Sequence, residues 1–366
     1  MRLRGSKQFL AVGGAVAVAL LAACSSSTSS PAATGTGTSP AGGSTTSAAA
    51  LSGTLNGSGS TFQLTYQQAS IQAFKSIQSG MTVNYNGVGS GTGRTDLASN
   101  VVQFAGSDSP IPSKEEANFK GKTVLYFPIL LGPISVAYNL SGVSNLKLDA
   151  TVIANIFQGN IKTWNDPAIT ALNPGVSLPS TAITPAVRSD SSGTTQNFSL
   201  FLETAVPSVW TLGSSSTIKW PASARAGSGN GGVAQIIKST PGAIGYVDYT
   251  DAKASGLSSA SVKNKDGNYV APSSAGASAA AEGVTVKPDL TFHAVWGTGA
   301  EAYPITYQSW VLVYQMQSSA NTASMLKAYI GYLIGDGQAT LEQLGYAPLP
   351  TDLDAMAKAQ LDKITS

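Results

Sequence analysis

ITPAVRSDSSGTTQNFSLFLETA, residues 183–205, contains two periodicities with a break between them. Residues 183–188 read as a strand, and from 194 to 205 the apolar spacing predicts a helix. The break, RSDSSGTT at 188–195, is built from Gly and small hydroxyl residues around one Arg and one Asp. The same order of strand, Gly- and hydroxyl-rich turn, and helix recurs twice. GSGSTF at 57–62 precedes a helical pattern at 64–78, and GVGSGTGRT at 87–95 lies between a strand at 81–86 and a helix near 93–100. Such repetition predicts α/β architecture with mainly parallel sheets. Further out, a strand and turn at 102–108, an extended run at 123–139, a helix at 151–158 and strands at 242–249 and 305–315 follow. Helices at 321–334 and 352–364 close the chain, and the Ala/Ser/Gly/Pro-rich 271–283 reads as a loop or a loosely amphipathic surface helix.

The three turns share a chemistry. Small residues let a backbone approach a ligand closely, and the open N–H groups of a helix start favour an anion. Ser and Thr hydroxyls add donors without charge. Each turn by itself reads equally as an ordinary capped helix; three in one chain point to an oxyanion pocket. Arg188 beside Asp190 fits a guanidinium fork gripping a tetrahedral oxyanion and held by a carboxylate, or a surface ion pair. Asp108, in GSDSP at 106–110, reads as a ligand group or as a turn-capping Asp. Familiar nucleotide motifs fail. GSGNGG at 227–232 matches G-x-G-x-x-G, but no apolar strand precedes it, and Gly121-Lys122-Thr123 ends a P-loop pattern whose first Gly is replaced by Glu116.

Composition narrows the field. Only 11% of the 366 residues are charged, against ~25% in an average protein, while 42% are apolar. Such a chain can bury enough surface to fold, and its length suggests about two domains. Lys plus Arg is 21 and Asp plus Glu is 19. Setting aside Arg2, Arg4 and Lys7 leaves 18 against 19, so nothing supports a nucleic-acid partner. One Cys and one His exclude structural zinc sites, iron–sulfur clusters and disulfide scaffolds. A Ser–His–Asp triad would need His293 as its base.

The N-terminus reads as an address. A basic start (Arg2, Arg4, Lys7) is followed by an apolar run at 9–21 that is shorter than the ~20 residues of a membrane-spanning helix. The run ends in Leu21-Ala22-Ala23-Cys24, similar to a bacterial lipobox, and the chain's only Cys stands where the lipid would be attached. Residues 1–23 are thus expected to be a signal peptide. Residues 24–52, which carry no charge, are expected to be a lipidated Cys and a flexible tether.

Taken in order, the motifs resemble the PstS family, the phosphate-binding lipoproteins of the high-affinity phosphate ABC importer. They are GSGSTF at 57–62, YNGVGSGTG at 85–93, FAGSDSPI at 104–111, FPILLGPISVAYN at 127–139, IFQGNIKTWNDPAITALNPG at 156–175 and VRSDSSGTTQNF at 187–198. IKWP at 218–221, TPGAIGYVDY at 240–249, YPITYQSWVLV at 303–313 and LGYAPLP at 344–350 complete the set. Only the signal, the tether and the 270–290 region fall outside. The resemblance implies a two-domain periplasmic-binding-protein-like fold of type II, with two hinge strands and the ligand in the cleft between domains. Domain I would be 53–130 plus 312–366 and domain II 131–311. It also implies phosphate ligands at Thr61, Phe62 (through its N–H), Ser90, Asp108, Arg188, Ser192, Gly193 and Thr194, with Asp190 beside the arginine. Ser60 stands where the family often has Ala, and Gln103 where an acidic residue often precedes Phe104.

The expected function is that of an extracytoplasmic, membrane-anchored monomer that captures inorganic phosphate and passes it to an ABC permease. No cofactor, no metal and no enzymatic step are expected. The rivals are a secreted phosphatase or Ser hydrolase using Ser192, and a receptor for another tetrahedral anion such as sulfate.

Overall fold

The computed structural model describes residues 51–366. The expected signal peptide, Cys24 and the tether up to residue 50 lie outside the described residues.

Nine strands form one curled sheet. Its order is Met81–Gly87, Gly53–Gly59, Phe104–Ser107, Thr306–Tyr314, Val124–Tyr138, Ala243–Asp248, Thr184–Arg188 and Arg225–Gly227, with Ser258–Ser259 paired to the end of Val124–Tyr138. A separate small sheet joins Tyr269–Val270, Ser261–Lys263 and Lys147–Leu148. The large sheet is mixed, where mainly parallel pairing was expected. Strands joined by crossover helices do run parallel: Gly53–Gly59 with both its neighbours, and Thr184–Arg188 with both of its own. Between these groups the two long strands run antiparallel to each other and to the strands flanking them.

The longer strand is apolar along nearly its whole length, the other is polar only at Thr306, Gln308 and Ser309, and every residue of both is buried except the half-buried Val124. Val124–Tyr138 pairs with Thr306–Tyr314 as far as Pro133, then with Ala243–Asp248 from Ile134 onward. It therefore stitches the two parallel groups together. Its pairing slips between Ser309 and Trp310, opposite Pro128, whose ring nitrogen has no hydrogen to give the ladder.

Most expected elements form within a residue or two of their expected ends. Two differ in an instructive way. The helix expected near 93–100 begins at Ser90, despite Gly91 and Gly93 in its first turns. A Cβ at Gly93 would lie 2.4 Å from Gly59 Cα, so glycine is what lets this helix lie on its strand. The 271–283 segment forms the helix Ser274–Ala281, but not on the surface: Gly276, Ala277, Ala280 and Ala281 are buried against the two long strands. Small side chains, which read as surface filler in the sequence, permit that close approach.

Candidate oxyanion-binding site

Four helix starts converge at the ends of the parallel strands. They belong to Leu64–Ile77, Ser90–Ala98, Gly193–Ala205 and Gly229–Ser239. Their closeness is measurable: a Cβ at Gly193 would lie 2.4 Å from Ser90 Oγ, and one at Gly229 would lie 3.3 Å from Thr61 Cγ2. Backbone N–H groups and the positive ends of helix dipoles thus face one another. In the Gly193–Ala205 helix, Ser192 Oγ accepts the Thr195 N–H at 3.1 Å, leaving the Gly193 and Thr194 N–H groups without an acceptor inside the helix.

Arg188 ends its strand in this space and is only 5% exposed, which rules out a surface ion pair. Its Nε donates to Asp190 Oδ1 at 2.8 Å and its Nη2 to Asp190 Oδ2. Nη1 reaches Thr194 Oγ1 at 3.2 Å and Asn230 Oδ1 at 3.4 Å. Burial alone would raise the Asp190 carboxyl, but hydrogen bonds from Arg188, its charge and the Gly229 N–H outweigh that and hold it below its ordinary value. The planar fork is therefore fixed before any ligand arrives.

Asp108 faces it from the other side, buried to 1% exposure. It is no turn cap, because its carboxylate bonds hydroxyls rather than local N–H groups. Ser60 Oγ lies 2.6 and 2.7 Å from its two oxygens, Ser309 Oγ 2.5 Å from Oδ1 and Ser90 Oγ 3.1 Å from Oδ2. Burial holds the carboxyl above its ordinary value, and these three hydroxyls and the Arg188 charge offset only part of that rise. Arg94, the other cation among the three turns, is turned away: it pairs with Glu115 and binds the Ser107 and Ser109 hydroxyls, fixing the turn that carries Asp108.

All nine expected site residues between Thr61 and Thr194 thus lie in or beside the place where these helix starts meet. One detail differs: the Phe62 N–H is directed to Ser60 Oγ at 3.0 Å, so this structure already gives it a protein acceptor. Ser60, seen in the sequence only as a departure beside a ligand position, is in contact with Asp108.

Sequence reasoning missed three further residues. Asn230 touches Arg188, both Asp248 (2.8 Å to Oδ2) and Thr61 (3.3 Å to Oγ1) through its amide, and so links the two sides. It lies in the 227–232 turn set aside for want of an apolar strand. The strand exists, as Arg225–Gly227, but has only three residues and two are exposed. Composition alone could have flagged this fourth turn, since it repeats the chemistry of the other three. Asp248 caps the helix after its strand, and burial and the neighbouring Asp251 raise its carboxyl well above the ordinary value. Ser309 reaches Asp108 because the sheet register sets Trp310 opposite Ser107, for which the sequence carries no signal.

Residues 44–336 match the family model described as the PBP superfamily domain. The chain is 36% identical over 309 residues to the phosphate-binding protein PstS 3 of Mycobacterium leprae, spanning 81% of this chain and 83% of that one. The chain belongs to the PstS family. Another member, PstS 2 of Mycobacterium tuberculosis, is 34% identical over 325 residues, 85% of this chain and 87% of its own. Among solved structures, a high-affinity periplasmic phosphate-binding protein (PfluDING) bound with phosphate superposes with a TM-score of 0.71 at 24% identity, over 84% of this chain and 94% of that one. The phosphate-binding protein of Stenotrophomonas maltophilia gives 0.69 at 18% identity, over the same shares. These likenesses establish a type II periplasmic-binding-protein fold for this PstS-family chain. His293, the base a hydrolase would need, is exposed, whereas Ser192 is buried and its oxygen caps a helix by accepting the Thr195 N–H.

Proposed function

We propose that this protein captures inorganic phosphate outside the cytoplasmic membrane and delivers it to an ABC permease. The observation that carries this reading is the convergence of a buried guanidinium, Arg188, and a buried carboxylate, Asp108, among helix starts and hydroxyls. Arg188, the Gly193 and Thr194 N–H groups and the hydroxyls of Thr61, Ser192 and Thr194 suit the bare oxygens of the anion, and Ser90, which gives its proton to Asp108 in this structure, would turn to join them. An ionised Asp108 can only accept, so it suits the P–O–H that phosphate keeps near neutral pH and opposes sulfate, which has no proton to offer. Binding of this kind needs complementary donors and no activated nucleophile, so the protein is read as a receptor and not an enzyme.

The long strands support a division into 53–130 plus 312–366 and 131–311, closing about the place where Val124–Tyr138 changes partner. Attachment through a lipid on Cys24, with the tether giving reach, rests on the sequence; replacing Cys24 by Ala should abolish lipid by mass spectrometry without altering affinity. Calorimetric titration with phosphate, sulfate and arsenate tests the function: phosphate and arsenate should bind and sulfate should not. Sulfate binding as tight as phosphate would overturn the choice of anion. Ester hydrolysis abolished by Ser192→Ala would overturn the receptor reading.

A further inference from the structure

One buried polar atom beside the site, the Tyr307 hydroxyl, lacks a protein partner. Tyr307 lies on the Thr306–Tyr314 strand opposite Gly132, is fully buried, and packs its ring on Phe62 with centroids 4.0 Å apart. Its hydroxyl lies near the Thr194 hydroxyl but makes no well-formed hydrogen bond with any protein group. Three other buried tyrosines of the core behave differently: Tyr346 donates to Phe62 O, Tyr66 to Leu333 O and Tyr303 to Ile134 O; Tyr314, at the far end of the same strand, also has a hydroxyl without a partner. A buried hydroxyl without a partner destabilises a fold, and Phe would fill the same space without that cost.

The position of Tyr307 explains what the hydroxyl faces. Side chains two apart on a strand share a face. Ser309, two residues on and before the slip in pairing, points its hydroxyl at Asp108. The polar groups that bear on the Tyr307 phenol are Asp108, Asp248 and the Thr194 hydroxyl, and Thr194 is itself bound to Arg188. The phenol thus lies near Thr194, on the strand face that also carries Ser309.

We propose that Tyr307 is a ligand residue, its phenol donating a hydrogen bond to the captured anion from the side where Thr194 and Asp108 meet. This deepens the phosphate reading and rests on it. Burial, with the Asp108 and Asp248 carboxylates, holds the phenol well above its ordinary range, so it keeps its proton and remains a neutral donor. Such a donor adds a contact without adding charge to a site where Arg188 already meets the Asp190 and Asp108 carboxyls. Because a phenol both donates and accepts, it strengthens binding of tetrahedral anions alike and leaves the choice among them to Asp108.

Tyr307→Phe keeps the ring and removes only the hydroxyl. Losing a hydrogen bond to a charged ligand should weaken phosphate about tenfold or more, and arsenate by the same factor. The ligand-free variant should melt at or above the parent. Phosphate affinity within threefold of the parent would overturn the proposal, since a packing role needs only the ring. Where the variant does not fold, 3-fluorotyrosine placed at 307 in the otherwise unchanged protein decides: its fluorine resonance should move on adding phosphate, and an unmoved resonance overturns the assignment. A parent protein that binds no phosphate at all would instead overturn the function from which the proposal starts.

Discussion

Gly193 and Asp108 meet across the site: a side chain on Gly193 would begin 2.5 Å from Asp108 Oδ2 and 2.7 Å from its Cβ. No Cβ tolerates such distances, so the contact exists only because position 193 is glycine. It is also a contact between the Gly193–Ala205 helix and the turn after Phe104–Ser107, two elements that both border the bound anion's expected place.

Gly193→Ala should therefore impair closure rather than folding. Alanine favours a helix start more than glycine does, while overpacking in a closed site costs about 1–3 kcal/mol. Phosphate affinity should fall by roughly tenfold or more with the ligand-free melting temperature unchanged. Calorimetry and thermal melts on the same preparation check both halves.

Arg188→Lys should be severe although the charge is kept. Lysine cannot reproduce the fork that holds Asp190 with two nitrogens while reaching Thr194 and Asn230 with a third. The loss should be about 2–3 kcal/mol, or roughly 30- to 150-fold in affinity. Titration that finds the variant within threefold of the parent would remove Arg188 as the principal ligand.

Asp108→Asn should change preference more than strength. The Ser60, Ser90 and Ser309 hydroxyls can turn to meet an amide, and the amide oxygen still accepts from phosphate. Its NH2 group can donate to sulfate, which the carboxylate opposes. Competition titrations should show sulfate gaining on phosphate; an unaltered ratio would place Asp108 outside anion selection.

Asn230→Ala tests a residue the sequence did not single out. Without the amide, Asp248 Oδ2 loses its 2.8 Å donor and Arg188 Nη1 loses one acceptor. Ligand-free stability should drop by about 1–2 kcal/mol, and phosphate affinity should fall severalfold because Arg188 is less firmly held. Chemical denaturation paired with phosphate titration separates the two effects.

The Arg188–Asp190 pair also sets a pH dependence. Asp190 is held below its ordinary 3.8 in the folded protein, so its unfolded form binds the proton more readily. The stabilisation is fully present above that ordinary value and is lost as pH falls through the lowered folded one. The stability gap between the parent and Asp190→Asn should stay constant from neutral pH to about 5 and close in strong acid. A gap that closes above pH 5 would contradict the lowered carboxyl.

The units of this fold are local, and for that reason they were legible in the sequence. A strand, a turn of Gly and hydroxyl residues and a helix lie within some twenty consecutive residues at 183–205, and so do Arg188, Asp190, Ser192, Gly193 and Thr194. Periodicity and turn chemistry act over that distance, and the resemblance in motif order supplied the ligand expectations at Thr61, Phe62, Ser90 and Asp108. The tertiary structure decided what depends on strand order. Asp108 takes hydroxyls from 48 residues before it and 201 residues after it, because Phe104–Ser107 lies between Gly53–Gly59 and Thr306–Tyr314. The same neighbours bring in Tyr307, and the edge strand Arg225–Gly227 brings in Asn230. The mixed sheet likewise follows from two long strands passing antiparallel between the parallel groups. Residue order along the chain determined which groups could meet a ligand from one turn; only the packing of distant strands determined which groups meet one another.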